Sequence, residues 1–137
     1  MKTILLLEDE LALMKLLSRV LERRGYIVEQ ASTAKDALKQ FRDANRRIDI
    51  LVADVNLPES SGIQIAVLLR AASPGPKVIL TSGYPSNAWK AREAADLQRL
   101  GADTVIVLHK PFMPQALLNC IREMTDVPLS ASAALSS

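Results

Sequence analysis

The feature that most constrains this chain is an alternation. A short apolar run followed by a longer amphipathic stretch occurs five times in 137 residues. The apolar runs are Lys2 to Leu7, Ile27 to Gln30, Ile48 to Ala53, Lys77 to Leu80 and Thr104 to Leu108. All have strand length, and Lys2 to Leu7 is apolar almost throughout, as expected of a strand covered on both faces. Between the first two, Leu11 to Arg24 sets Leu13, Leu17, Val20 and Leu21 on one helical stripe. Lys15, Arg19, Glu22 and Arg23 fall mostly off that stripe, and Gly25 is placed to close the helix. Thr33 with Asp36 three residues on predicts a second helix start, with Ala37, Leu38 and Phe41 facing inward.

The loop Val55 to Gly62 after the third run carries Pro58 and Gly62 as turn residues. Ile63 to Ala72 reads as a third helix, cut off by Ser73-Pro74-Gly75-Pro76, and Ala88 to Leu100 as a fourth, closed by Gly101. Pro114 suits the first position of a fifth helix running to about Met124, and Pro128 is expected to stop any continuation. These boundaries predict a domain over residues 1–126 and a flexible tail over 127–137. Five strand-then-helix units imply an α/β fold, a doubly wound parallel sheet with helices on both faces. Such a sheet binds its ligands in the crevice at the C-terminal ends of the strands.

Composition narrows the class. The length suits one domain, and no apolar run approaches the span of a bilayer. The N-terminal run stops at Glu8-Asp9-Glu10, too soon for a secretory leader. Cys120 is the only cysteine, which fits a reducing, cytoplasmic setting. The net charge is +2, and Arg23-Arg24 and Arg46-Arg47 are scattered pairs rather than a stripe, so direct nucleic-acid binding is not expected. No membrane contact is expected either.

Polar residues matter most where they fall at strand ends. Glu8 and Asp9 follow the first strand, Asp54 ends the third, Thr81 the fourth and Lys110 the fifth. Three carboxylates brought together repel one another unless something positive sits among them, and Lys110 alone offsets only part of the charge. A hard dication with oxygen ligands, Mg²⁺, is the natural complement, and it leaves positions open for phosphate oxygens. Carboxylates, one lysine and one hydroxyl suit phosphoryl transfer to a carboxylate nucleophile. Taken singly, each piece has a plainer reading. Glu8-Asp9-Glu10 would serve a helix N-terminus, Asp54 a turn, Thr81 a cap, and Lys110 the solvent.

Taken together, Glu8-Asp9, Asp54 followed by Asn56 and Pro58, Thr81, and Lys110-Pro111-Phe112 resemble the signature of response-regulator receiver domains. The resemblance covers residues 2 to about 124 and points to a stand-alone receiver of two-component signalling. It implies a flavodoxin-like five-stranded parallel sheet in the order 2-1-3-4-5, with five helices on both faces. It implies Asp54 as phospho-acceptor and Asp9 as direct Mg²⁺ ligand, with Glu8 reaching the metal through water and Asn56 offering its backbone carbonyl. Thr81 would contact the phosphoryl group, Lys110 would pair with it, and the Lys110-Pro111 bond would be cis. The implied phosphodonor is a histidine kinase or histidine phosphotransfer protein, and output passes to a downstream protein target. The face made by the fourth helix, fifth strand and fifth helix is where such domains signal and form homodimers. The expected role is that of a signalling switch with self-catalysed phosphorylation and dephosphorylation, not a conventional enzyme.

Two departures stand out. Receivers usually carry an aromatic three residues before the lysine, and Val107 stands there; the stretch from Thr81 to Lys110 is also longer than usual. The alternative expectation is therefore a receiver-fold interaction module, or a phosphate sink or carrier, with a non-standard output step. A phosphohydrolase would want a second acid two residues after its nucleophile, where Asn56 stands. His109 has no zinc-ligand neighbours, Cys120 suits a semi-buried position, and Tyr84 and Trp89 divide between helix packing and a partner surface. After Met124 nothing suggests an output domain, so the signal leaves by protein contact or the chain is cut from a longer protein.

Overall fold

The computed structural model describes residues 2–44, 47–58, 61–71, 75–83, 91–101 and 105–136, with side chains to Thr125. Five strands alternate with five helices: β1 (Thr3–Leu7), α1 (Leu11–Arg23), β2 (Ile27–Ala31), α2 (Ala34–Asp43) and β3 (Ile50–Asp54) come first. They are followed by α3 (Gly62–Arg70), β4 (Lys77–Ser82), α4 (Ala91–Leu100), β5 (Val105–His109) and α5 (Pro114–Ser136). All pairings are parallel and the strand order is β2-β1-β3-β4-β5.

Alternating side chains send each central strand's residues to two cores. Ile4, Leu6, Ile50, Val52 and Ile79 join Met14, Leu17 and Leu21 of α1 and Leu117, Leu118 and Ile121 of α5. Leu5, Leu7, Leu51, Ala53, Val78 and Leu80 join Ala37 of α2, Ile63, Ile65, Ala66 and Leu69 of α3, and Leu100 of α4. Full burial stabilises each Leu or Ile by about 1.5–3 kcal/mol, so the two cores together lock the helices onto the sheet.

Local signals act as the sequence indicates. Thr33 accepts a hydrogen bond from the Asp36 amide at 3.0 Å, and Gly25 and Gly101 take φ of +91° and +86° just past α1 and α4. Some of the stripe on α1 shifts. Leu13 and Val20 are only half-buried, while Met14 and Ser18 are buried, Ser18 because Gln30 of β2 donates to its hydroxyl at 2.8 Å. Cys120 is half-buried against the α1/α5 core. Tyr84, Trp89 and the start expected for the fourth helix lie outside the described residues.

Two expectations need correction. Gly62 is not a turn residue but the first residue of α3. The fifth helix does not stop at Pro128; its backbone stays helical to Ser136. A proline inside a helix lacks the N–H that would bond the carbonyl four residues earlier, here that of Met124. Lys77 of β4 donates its ammonium to that same Met124 carbonyl, so the acceptor that Pro128 orphans is satisfied. The Ala- and Leu-containing run that follows has adequate helix propensity to continue.

Candidate functional site

The sheet's period of two assembles the pocket. Leu6, Val52, Ile79 and Leu108 all face α1 and α5. Two residues on, where each strand runs out, the same face carries Glu8, Asp54, Thr81 and Lys110. Backbone bonds keep these exits in register. The Glu8 amide donates to Ala31 at 3.0 Å, Val55 to Thr81 at 2.8 Å, and Lys110 to Ser82 at 2.7 Å. Thr81 lies inside β4 rather than past its end, as the Cα partner of Asp54.

Glu8 and Asp54 are only 2 % and 3 % exposed, a burial that carboxylates tolerate when paired and hydrogen-bonded. The Lys110 ammonium bridges them, 2.9 Å from Glu8 Oε1 and 3.0 Å from Asp54 Oδ2. Each acid also accepts a backbone amide from two residues on: Glu10 on Glu8 Oε2 at 3.1 Å and Asn56 on Asp54 Oδ1 at 2.8 Å. Burial pushes the Glu8 carboxyl above its ordinary range, against the opposing pull of Lys110 and the Glu10 amide. Burial pulls the other way on Lys110, yet the two carboxylates more than offset it and hold the ammonium above its ordinary value.

Asp9 is exposed at the pocket mouth, and Glu8, Asp9 and Asp54 can each present a carboxylate oxygen within 4.8 Å of the others. Three hard oxygen donors around one ammonium leave a net negative site, the donor chemistry of Mg²⁺ rather than of a thiolate- or imidazole-seeking ion. The pocket therefore unites Glu8, Asp9, Asp54, Thr81 and Lys110 from four strands, with Asn56 on the loop after β3. The Lys110-Pro111 bond is cis. Val107 is half-buried on β5 opposite Leu80, against the α2/α3/α4-side core, on the face away from the pocket. His109 is exposed at the end of β5. The amides of Glu10 and Asn56, which orient the two buried acids, are backbone groups that no side-chain pattern announces.

Known proteins share this fold. A family model described as response regulator receiver domain matches residues 4–122. The chain is 35% identical over 124 residues to the sensor kinase CckA of Brucella abortus, covering 90% of this chain and 12% of that protein. It is 29% identical to the transcriptional regulatory protein ResD of Bacillus subtilis, over 84% of this chain and 44% of the relative. The chain thus spans less than half the length of either. Among solved structures, a CheY-like receiver domain from Methanospirillum hungatei superposes with a TM-score of 0.78 at 28% identity, covering 96% and 98% of the two chains. The receiver domain of the hybrid histidine kinase CckA gives 0.71 at 26%, covering 89% and 97%. With the strand order, the acid cluster and the bridging lysine all in place, this chain belongs to the response regulator receiver domain family.

Proposed function

We propose that the chain accepts a phosphoryl group on Asp54 from the phosphohistidine of a histidine kinase or phosphotransfer protein. A carboxylate oxygen of Asp54 attacks phosphorus, an O–P bond forms, the P–N bond to the donor imidazole breaks, and the imidazole leaves with its electron pair. The observation that carries this reading is the placement of Lys110 between Glu8 and Asp54 in a buried acidic pocket. The Asn56 amide fixes one oxygen of Asp54, and the Lys110 ammonium is poised to follow the charge onto the phosphoryl oxygens. Thr81 lies beside Asp54 in register and offers a hydroxyl to the same group. Glu8, Asp9, Asp54 and the Asn56 carbonyl would hold Mg²⁺, which supplies charge neutralisation to the phosphoryl oxygens. In hydrolysis water attacks phosphorus, the Asp54 O–P bond breaks, and inorganic phosphate leaves with the carboxylate restored, which resets the switch.

The signal leaves through protein contacts of the α4-β5-α5 face, which also offers a surface for a homodimer. The setting is cytoplasmic, and residues 1–126 are the signalling unit. Among the described residues no helix is long and apolar enough to cross a membrane. A second reading, a phosphate sink or carrier with a non-standard output step, is favoured by one observation. Val107, half-buried against the core beside β4, has no ring to exchange between inner and outer positions.

One experiment separates these. The purified chain is incubated with Mg²⁺ and acetyl phosphate and read by intact mass, with Asp54→Asn as control. Amide NMR shifts are recorded with beryllofluoride. A Mg²⁺-dependent adduct lost in the control, with shifts reaching Val107, supports the switch. Shifts confined to the pocket favour the sink, and absence of both adduct and mimic binding rejects phosphorylation.

A further inference from the structure

The second residue set that bears on Asp54 comes from α3. Gly62 opens that helix, and its φ is not in the left-handed region, which among the described glycines belongs to Gly25 and Gly101. Its lack of a side chain therefore answers to space rather than to backbone conformation, although glycine disfavours a helix relative to alanine. A Cβ at Gly62 would lie 2.2 Å from the carbonyl oxygen of Asp54, 2.9 Å from its carbonyl carbon and 3.0 Å from the Cβ of Ala53. The first turn of α3 is seated directly on the peptide unit that leaves Asp54.

Neither side of that contact can yield cheaply. The Asp54–Val55 peptide has its carbonyl against Gly62 and its N–H donated to the Thr81 carbonyl at 2.8 Å. One residue on, the Asn56 amide holds Asp54 Oδ1. On the other side, Ile63, Ile65, Ala66 and Leu69 fix α3 in the core, and the buried Ser61 hydroxyl accepts from the Ile63 amide at 3.1 Å. A methyl at position 62 must displace one of two anchored elements by a sizeable fraction of an ångström, because cores resist local compression.

We propose that Gly62 is a positioning residue for phosphoryl transfer, setting the Asp54 carboxylate relative to Asn56 N–H and Lys110 by letting α3 close onto the Asp54 carbonyl. The proposal rests on Asp54 being the phospho-acceptor. In the test reaction an Asp54 oxygen attacks the phosphorus of acetyl phosphate, the bond from phosphorus to the acetyl oxygen breaks, and acetate leaves. A misplacement of about 1 Å costs such a step about a hundredfold, and the closure at Gly62 governs a displacement of that order.

The experiment compares wild type, Gly62→Ala and Ile65→Val, which loosens the same helix one turn on without approaching Asp54. Rates of adduct formation per folded molecule are read by intact mass with Mg²⁺ and acetyl phosphate, well below each melting temperature. The expected result is a loss of about tenfold or more in Gly62→Ala, with Ile65→Val near wild type. The Asn56 amide NMR signal of Gly62→Ala should move while those of β2 stay in place, which a merely destabilised fold would not produce. A Gly62→Ala rate within about fivefold of wild type, or an unmoved Asn56 signal, overturns the proposal. Should Gly62→Ala fail to fold, Ser61→Ala takes its place, since it frees the same turn without adding an atom. A rate loss of about threefold or more relative to Ile65→Val then supports the proposal, and a smaller one overturns it. A wild type that takes no phosphoryl group sinks the function of Asp54 and this proposal with it, whereas an active wild type with Gly62→Ala at parity sinks this proposal alone.

Discussion

Replacing Lys110 with methionine should destabilise the fold, and the size of the loss follows from the pocket. The substitution keeps the unbranched stem but removes the cation lying 2.9 Å from Glu8 and 3.0 Å from Asp54. Two carboxylates with 3 % and 4 % side-chain exposure then face each other without it. Breaking a buried pair in this way costs about 3–5 kcal/mol. Lys110 itself keeps 21 % of its side chain in water, which places the expected loss near the lower bound, at about 3 kcal/mol.

The loss depends on pH with a definite sign. Without the lysine, the Glu8 carboxyl, already raised from 4.5, rises further, so the folded state binds a proton more readily than the unfolded chain. The destabilisation is therefore absent below about the unfolded value and grows as pH rises through the folded one. Urea unfolding in EDTA at pH 7 should show the midpoint of Lys110→Met falling by about 1–2 M, with a smaller fall at pH 5. Adding Asp54→Asn should recover much of the loss, because it removes one of the facing charges. Mg²⁺ at about a hundred times its dissociation constant should recover about 2.7 kcal/mol. Equal midpoints for wild type and Lys110→Met at pH 7, or no recovery in the double variant, would refute the reasoning.

Other expectations follow from the same geometry. Wild-type stability should fall at alkaline pH, because Lys110 is held above 10.5: its contribution is complete below that value and lost as pH rises through the folded one, measurable by urea unfolding between pH 9 and 11.5. Gly25→Ala has room for its methyl but must hold φ at +91°, so a loss of about 1–2 kcal/mol is expected from thermal unfolding, and none would contradict the strain. Thr33→Ala removes the α2 cap and should cost about 1 kcal/mol by the same measurement. Lys77→Met should quicken hydrogen exchange in the α5 amides beyond Met124 by several-fold, through loss of a bond worth about 1 kcal/mol. Unchanged exchange would mean the lysine does not support the helix past Pro128.

Much of this fold is legible in the chain because its signals are local. Strand length, the stripe on α1, Thr33 with Asp36, and glycines past two helices each depend on neighbours in sequence. The pocket was legible for a related reason. In a parallel sheet polar residues at strand ends converge, so the sequence alone groups Glu8, Asp54, Thr81 and Lys110. What escaped depends on contacts between distant segments. Pro128 reads as a stop because the donor that rescues Met124 comes from Lys77, 47 residues away in the chain. Gly62 reads as a turn residue because only the folded chain brings Asp54's carbonyl to its α-carbon. Ser18, polar on the inner face of α1, is explained only by Gln30 on the next strand.

The bridge from Lys110 to Glu8 joins residues 102 positions apart, the first strand's exit to the last strand's exit. During synthesis at about 5–20 residues per second, Glu8 precedes its cationic partner by about 5–20 s. Throughout that interval the nascent chain holds Glu8, and in its second half Asp54 as well, without the lysine that bridges them. If Asp54 takes the phosphoryl group as proposed, a truncated product ending before β5 lacks Lys110 and should form no adduct with acetyl phosphate.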